Sequence, residues 1–394
     1  MSKELPLFPV TVVGSWPRSR EVLRALRDKR EGRMDEAEFL RITEGAILES
    51  VRMQEEAGVD LLTDGEQRRD NFISFVAEKL HHVKMLTVAE LLDYVEDKAG
   101  FEEILGTLDV PAFSLSNPVA VGPIARAKPL ALDEFLFLRK HTDRAIKVAL
   151  PGPYLLTRSM WVEGLSQAAY PTKEALAKDV VRILREELED LVNAGADFIQ
   201  LDEPVLTELV FTQKNANRTF MCGALTAKVD AQAELQFATD LINEVVEGFR
   251  GRGSRLGVHV CRGNWSTQED VLLRGPYEPL MPYLACLAVD QLVLEYATPR
   301  AGELDALQAL RDTEVGLGVV NPRLSTVELA SDIVNKVESS LAYLPKERIF
   351  LNPDCGFGTF AQRPMNSSQE AVKKLRACAD AAQVLRAKYN DASL

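Results

Sequence analysis

The sequence has few cysteines, five in 394 residues, and they stand far apart: Cys222, Cys261, Cys286, Cys355 and Cys378. An odd number of widely spaced thiols in so long a chain excludes a disulfide framework and is what a reducing compartment permits. Also missing is any run of the roughly 18 apolar residues that a membrane span needs. The opening MSKELPLFPV has no basic segment followed by a long apolar stretch, so the expected location is cytoplasmic. Basic residues are in deficit, 46 Lys and Arg against 59 Asp and Glu, for a formal net charge of −13. A field of that sign repels phosphate backbones and anionic lipid heads, which removes nucleic acid and membrane surfaces as partners. Low-complexity tracts, Gly/Ser linkers and like-charge blocks are absent too. Nothing therefore marks a second domain boundary, and residues 1–394 read as one domain.

What is present is an alternation of amphipathic helices with short apolar strands, in a chain that is 46% hydrophobic and 27% charged and so able to bury a large core. From Thr172 to Asn193, Leu176, Val180, Ile183, Leu184, Leu188, Leu191 and Val192 recur near helical spacing, with Gly195 as the stop. The strand Phe198 to Leu201 follows. An earlier copy of the same unit runs through Ile47, Val51 and Met53 to Ala57-Gly58 and then Val59 to Glu66. Both copies share an Ala-Gly turn, an Asp two residues after it and a terminal acid. Candidate strands fall at 10–14, 59–63, 146–150, 197–201, 256–260, 290–294, 314–319 and 348–352. Eight strands with helices between most of them predict an α/β fold, a (β/α)8 TIM barrel with an extra hairpin near 117–127 and loop insertions at 78–116 and 213–230. Strand count alone leaves a doubly wound sheet open.

Gly257-Val258-His259-Val260-Cys261 is a strand with His and Cys two residues apart, which its period places on one face. Leu292-Val293-Leu294 runs into Glu295, and Leu351-Asn352-Pro353-Asp354 delivers Cys355 at the end of the last strand. An imidazole, two thiolates and an exchangeable carboxylate suit zinc, which lowers the pKa of a bound thiol and keeps its sulfur nucleophilic at neutral pH. The other thiols read as filler: Cys286 and Cys378 in helix-like apolar settings, and Cys222 in an ambiguous loop. His81, His82 and His141 have no acid or thiol in a strand-end context and read as surface or packing residues.

Taken in order, Val13-Gly14-Ser15, Asp64-Gly65-Glu66, Ile199-Gln200-Leu201-Asp202-Glu203-Pro204, His259-Val260-Cys261, Glu295 and Asn352-Pro353-Asp354-Cys355-Gly356 resemble the catalytic half of cobalamin-independent methionine synthase. Epoxyalkane coenzyme M transferase and uroporphyrinogen decarboxylase belong to the same superfamily. The resemblance implies His259, Cys261, Glu295 and Cys355 as ligands of one Zn2+. It also implies that Gly14, Ser15, Glu66 and Asp202 recognise the amino-acid portion of homocysteine, the carboxylates taking its ammonium and the Ser its carboxylate. Glu203 reads equally as a helix cap.

Three departures fall on the methyl-donor side. The N-terminal barrel of the two-barrel members has no counterpart among these residues. Val320 stands where they have a His shortly before a Pro-Arg pair, here Pro322-Arg323. Arg158 stands near the place of a tryptophan that stacks on the pterin, with Trp161 three residues on. The pattern is closer to short single-barrel relatives, some of which take methyl groups from a corrinoid. The expected activity is zinc-dependent methylation of L-homocysteine to methionine, in which the incoming thiol displaces Glu295. The donor is a methylfolate, a methylcorrinoid or its carrier protein. Three alternatives remain at this point: an alkyltransferase acting on another thiol such as coenzyme M, a metal-free decarboxylase of the uroporphyrinogen type, and a non-enzymatic partner of a methyl-carrier protein.

Overall fold

A computed structural model of the chain describes residues 3–91, 94, 116–211, 230–264, 266–267, 269, 272–358 and 366–390. Its strands are β1 (Leu61–Leu62), β2 (Leu80–Thr87), β3 (Ser116–Arg126), β4 (Ala145–Pro151), β5 (Phe198–Asp202), β6 (Arg255–Val260), β7 (Gln291–Leu294), β8 (Glu314–Val320) and β9 (Ile349–Pro353). Seven of them form one curled sheet in the order β1-β4-β5-β6-β7-β8-β9, every pair parallel. Its strands are buried almost throughout, as parallel strands covered on both faces must be.

The expected strand at 10–14 is not a continuous ladder. It is reduced to two isolated parallel bridges, Val10 with Leu351 on β9 and Thr11 with Leu61 on β1. Thr11 N–H donates to the Leu351 carbonyl at 2.9 Å and Asp60 N–H to the Val10 carbonyl at 2.8 Å, so this segment joins the two edges of the sheet. Proline at position 9 and the turn from Gly14 leave little room for a longer run of pairing.

The helix of the repeated unit spans Lys173–Ala194. The Thr172 side chain accepts from Ala175 N–H at its start, and Gly195 closes it at φ 83°. That left-handed conformation is the reason for glycine there. Its counterpart, Glu36–Glu56, starts at the Asp35 cap and ends before Gly58. The Asp shared by both units has a structural task. Asp60 Oδ2 accepts from Val10 N–H at 2.8 Å, and Asp197 Oδ2 accepts from Ile146 N–H at 2.9 Å. Asp290 does the same for Leu256 N–H at 2.9 Å. Each Asp satisfies an amide near the start of the preceding position in the sheet, a donor that would otherwise be orphaned.

The extra hairpin is β2 paired antiparallel with β3, from Leu80 opposite Arg126 to Thr87 opposite Ser116. Part of the insertion expected at 78–116 is thus the partner strand of that hairpin; its residues 95–115 lie outside the described residues, as do 213–229 and with them Cys222. Cys378 is buried as expected, but Cys286 is exposed. It falls in the turn that follows Met281–Leu284; that short helix turns Met281 and Leu284 inward and leaves Ala285 and Cys286 facing solvent. His81, His82 and His141 are exposed. Among the described residues, no helix is long and apolar enough to cross a membrane.

Candidate metal centre and substrate pocket

The C-terminal ends of the parallel strands supply the site. In register, Pro151 pairs with Asp202, Asp202 with His259, and His259 with Val293, which sets the polar residues of neighbouring strands at one level. Cys261 follows β6 directly and Cys355 follows β9 by two residues. The donor atoms of His259, Cys261 and Cys355 all lie within 4.8 Å of one another, and all three residues are buried.

His259 Nδ1 lies 3.1 Å from the Val293 carbonyl oxygen. A carbonyl only accepts, so Nδ1 keeps its proton in either charge state of the ring, and Nε2 is the nitrogen that can give one up to free a lone pair. Nε2 has no hydrogen-bond partner, an arrangement that metal-ligating histidines share. Cys355 donates a hydrogen bond to Cys261. That bond, with His259 alongside, outweighs burial and holds Cys261 down to about 5. The same bond, with burial, pushes Cys355 well above the ordinary thiol range. Burial opposes the charge on His259, yet Cys261 and Asp202 lift it to about 9. A divalent cation bound here would therefore displace two protons, the one shared by the thiols and the one on His259 Nε2. An imidazole nitrogen and two thiols within reach of one point fit zinc.

Glu295, which follows β7, is not in that group. Its carboxylate faces Arg300 at 2.9 Å and Arg323 at 3.5 Å. Its backbone N–H donates to the Tyr277 hydroxyl at 2.9 Å, and that hydroxyl donates to the Val260 carbonyl at 3.1 Å. Asp354, beside Cys355, accepts from the N–H groups of Tyr296 and Ala297 at 2.9 and 2.8 Å. The loops after β6, β7 and β9 are thus tied to one another by hydrogen bonds that run through the residues next to the thiols.

His259, Cys261 and Cys355 share one pocket with Ser15, Glu66 and Asp202, a narrow cavity of about 40 Å³. Glu66 sits at φ 54°, an uncommon backbone conformation for a side chain other than Asn or Asp. Asp64 holds the Glu66 N–H at 2.9 Å, and Arg18 donates to the Glu66 carbonyl at 2.9 Å. Burial, with Asp202 adding its charge, raises Glu66 to about 7 against the pull of Arg69. Burial likewise raises Asp202 to about 6, opposed by His259 and by the Gln200 amide at 2.8 Å. Ser15 Oγ accepts from Gly358 N–H at 3.3 Å. Gly14 lies behind Glu66 rather than in the wall.

The wall also contains Phe72, Pro204, Asn264 and Gly356, none of which stood out in the sequence as a pocket residue. Asn264, three residues past Cys261, donates from Nδ2 to the Gly356 carbonyl at 2.8 Å and so joins two strand-end loops. Its nearness to the His-x-Cys pair was the available clue; Phe72 offered none.

Residues 8–384 match the family model described as cobalamin-independent synthase, catalytic domain. The chain belongs to this family. It is 30% identical over 358 residues to a methionine synthase of Pyrococcus furiosus, a match covering 90% of this chain and 87% of that protein. It is 28% identical over 389 residues to a methionine synthase of Saccharolobus solfataricus, covering 98% and 97%. Among solved structures, the B12-independent methionine synthase from Shewanella sp. W3-18-1 in complex with selenomethionine superposes with a TM-score of 0.73 at 23% identity, covering 98% of this chain and 99% of that one. That likeness bears on the fold.

Two donor-side positions of this cobalamin-independent synthase domain have definite places. Val320 ends β8, fully buried and paired with Pro353. Arg158 lies in the helix Pro153–Met160, with Nη1 3.0 Å from the Tyr154 hydroxyl; that hydroxyl donates to Glu234 at 2.7 Å. Lys173 also pairs with Glu234, so Arg158 belongs to a buried charge network. Trp161 donates its indole N–H to the Tyr170 carbonyl at 3.0 Å. Glu203 is a cap, as one of its two readings had it, but not of the helix that follows it. Its carboxylate accepts from Tyr154 and Leu155 N–H at 2.8 and 3.0 Å, at the start of Pro153–Met160.

Proposed function

We propose that this protein is a methionine synthase that methylates the sulfur of L-homocysteine, with Zn2+ held by His259, Cys261 and Cys355 and Glu295 as the exchangeable fourth ligand. The observation that carries the reading is the sharing of one buried pocket by the His/Cys/Cys group and by two carboxylates, Glu66 and Asp202. Relatives named methionine synthase over nearly the full chain support it. So does the selenomethionine held by the Shewanella protein, a selenium analogue of the proposed product. We read the architecture as a single (β/α)8 barrel whose first strand position is the Val10–Thr11 segment, with the site at the C-terminal face.

Zinc, when bound, supplies a Lewis acid that holds a thiol as its thiolate at neutral pH. The chain's own residues do the rest. Glu66 and Asp202 take the ammonium of the amino acid by charge-assisted hydrogen bonds, and the Ser15 hydroxyl takes its carboxylate. That three-point hold brings the side-chain sulfur to the thiol end of the pocket and converts an encounter into an oriented approach. A sulfonate thiol such as coenzyme M would meet two buried carboxylates there, which disfavours it. For the donor, a methylfolate needs a proton on its departing nitrogen, whereas a corrinoid leaves without one. Val320 supplies no proton and Arg158 is held in its charge network, which favours a methylcorrinoid, free or on a carrier protein.

X-ray absorption of the zinc-loaded protein tests the reading. On addition of L-homocysteine the metal's sulfur neighbours rise from two to three, and turnover is compared with methylcobalamin and methyltetrahydrofolate in parallel. Full zinc loading with no added sulfur and no turnover with either donor overturns it.

A further inference from the structure

Two buried arginines converge on Glu295. Arg300, with its side chain 4% exposed, places Nη2 2.9 Å from Glu295 Oε2, and Arg323, at 0%, places Nη1 3.5 Å from Oε1. Both also meet Glu269, at 3.2 and 2.9 Å. Arg323 Nη2 lies 3.7 Å from Asp354 Oδ2, the carboxylate next to Cys355. The arginines come from the loops after β7 and β8 and face three carboxylates between them. Glu295 Oε1 makes no hydrogen bond of its own, and the carboxylate stands apart from the His259, Cys261 and Cys355 donor atoms.

A buried carboxylate that leaves a cation needs another cation at once, because an unpaired charge in a water-poor interior is costly. Arg300 and Arg323 provide one in fixed, fork-shaped geometry. We infer that Arg300 and Arg323 form a dock for the Glu295 carboxylate, so that Glu295 partitions between the metal position and the arginine pair and leaves a coordination place for an incoming sulfur. This inference rests on the zinc-dependent reading proposed above. Arg300 and Arg323 are positioning residues in it, acting through Glu295. Glu269 tunes the dock, since it competes for the same two guanidinium groups while remaining 28% exposed.

Zinc retention, measured by competition with a chromophoric chelator and without any thiol substrate, tests the dock. In Arg300→Gln the carboxylate loses its alternative and stays with the metal, so zinc is held tighter, on the order of 10-fold. In Glu269→Gln both arginines are freed for Glu295, so zinc is held more loosely by a similar factor. Placing Arg300→Gln on a Glu295→Gln background abolishes the effect, since a neutral amide needs no dock. If the arginines only orient a permanent ligand, Arg300→Gln loosens zinc instead; that result, or no change, overturns the inference. Should Arg300→Gln fail to fold, Glu269→Gln carries the test with the opposite sign. Failure of the functional reading is told apart by the wild type alone: no third sulfur at zinc with L-homocysteine sinks that reading, while the chelator series still decides on the dock.

Discussion

Gly14 and Glu66 compete for one space: a Cβ on Gly14 would fall on the Glu66 carboxylate oxygen. The Thr63 hydroxyl donates to the Gly14 carbonyl at 2.8 Å, which fixes the backbone, so any added side chain must push the carboxylate instead. Gly14→Ala is expected to raise KM for homocysteine about 10- to 100-fold, the cost of misplacing a substrate contact by about 1 Å. Zinc content stays at the wild-type level, because the atoms nearest the added methyl belong to Glu66 and Ala149. Steady-state kinetics with metal analysis checks it, and an unchanged KM refutes the assignment of Glu66 to the ammonium.

Affinity for the amino acid is expected to fall in acid. An ammonium pairs only with ionised carboxylates, and burial holds Glu66 at about 7 and Asp202 at about 6 in the free protein. Below those values ligand binding must expel protons, and each one expelled weakens affinity about tenfold per pH unit. L-Methionine is the right probe, since it has no thiol to titrate. Calorimetry on the zinc-free protein from pH 5 to 8 is expected to show tightening up to about 7 and proton release below it. Asp202→Asn removes the lower inflection; a flat profile in the wild type contradicts the pairing.

These predictions lean on residues of unequal legibility. The two copies of the Ala-Gly-x-Asp unit were readable because a helix stop, a left-handed glycine and a strand-start acid are all local, and Asp60 and Asp197 satisfy the amides of neighbouring strand positions in the same way. His259 and Cys261 were readable because a strand's period is fixed. What escaped was long-range. Nothing local says that Arg300 and Arg323 meet at Glu295, or that Glu203 reaches back to the helix after β4. The first strand position was overextended from apolar residues 10–14, since hydrophobicity reports burial and not how many rungs of a ladder form. Cys286 was misplaced for the same reason: an apolar neighbourhood in sequence does not say which residue of a turn faces water.

Loss of one thiol is expected to release the metal. Cys355 contributes one of three grouped donors, so Cys355→Ser lowers zinc affinity by at least about 10-fold, since even outer-shell changes reach that size. A footprint gives a second readout. In the wild type, bound zinc shields Cys261 and Cys355 from alkylation, and a chelator restores their reactivity. Cys286, exposed, reacts equally in both states, and Cys378, fully buried, reacts only on unfolding. Mass spectrometry of the labelled peptides reads all four, and equal labelling of Cys355 with and without zinc rejects it as a ligand.

Glu203 is expected to make the stability of the zinc-free protein depend on pH. Burial raises this carboxyl from an ordinary 4.5 to about 8, against the opposing pull of the Tyr154 and Leu155 amides. A native pKa above the unfolded one means that the folded chain keeps a proton the unfolded chain has already lost. The resulting stabilisation is complete below about 4.5 and disappears as the pH rises through 8, with a slope of at most about 1.4 kcal/mol per pH unit for one proton. Glu203→Gln cannot titrate and places an amide group where the acid receives two N–H bonds. It is therefore less stable than wild type at pH 5, by about 1 kcal/mol for a lost hydrogen bond; the gap closes within about one pH unit and reverses above it, leaving Glu203→Gln the more stable protein at pH 8. Urea midpoints at several pH values check this; parallel profiles for the two proteins would show that Glu203 is already ionised in the fold, and that its two amide bonds outweigh its burial.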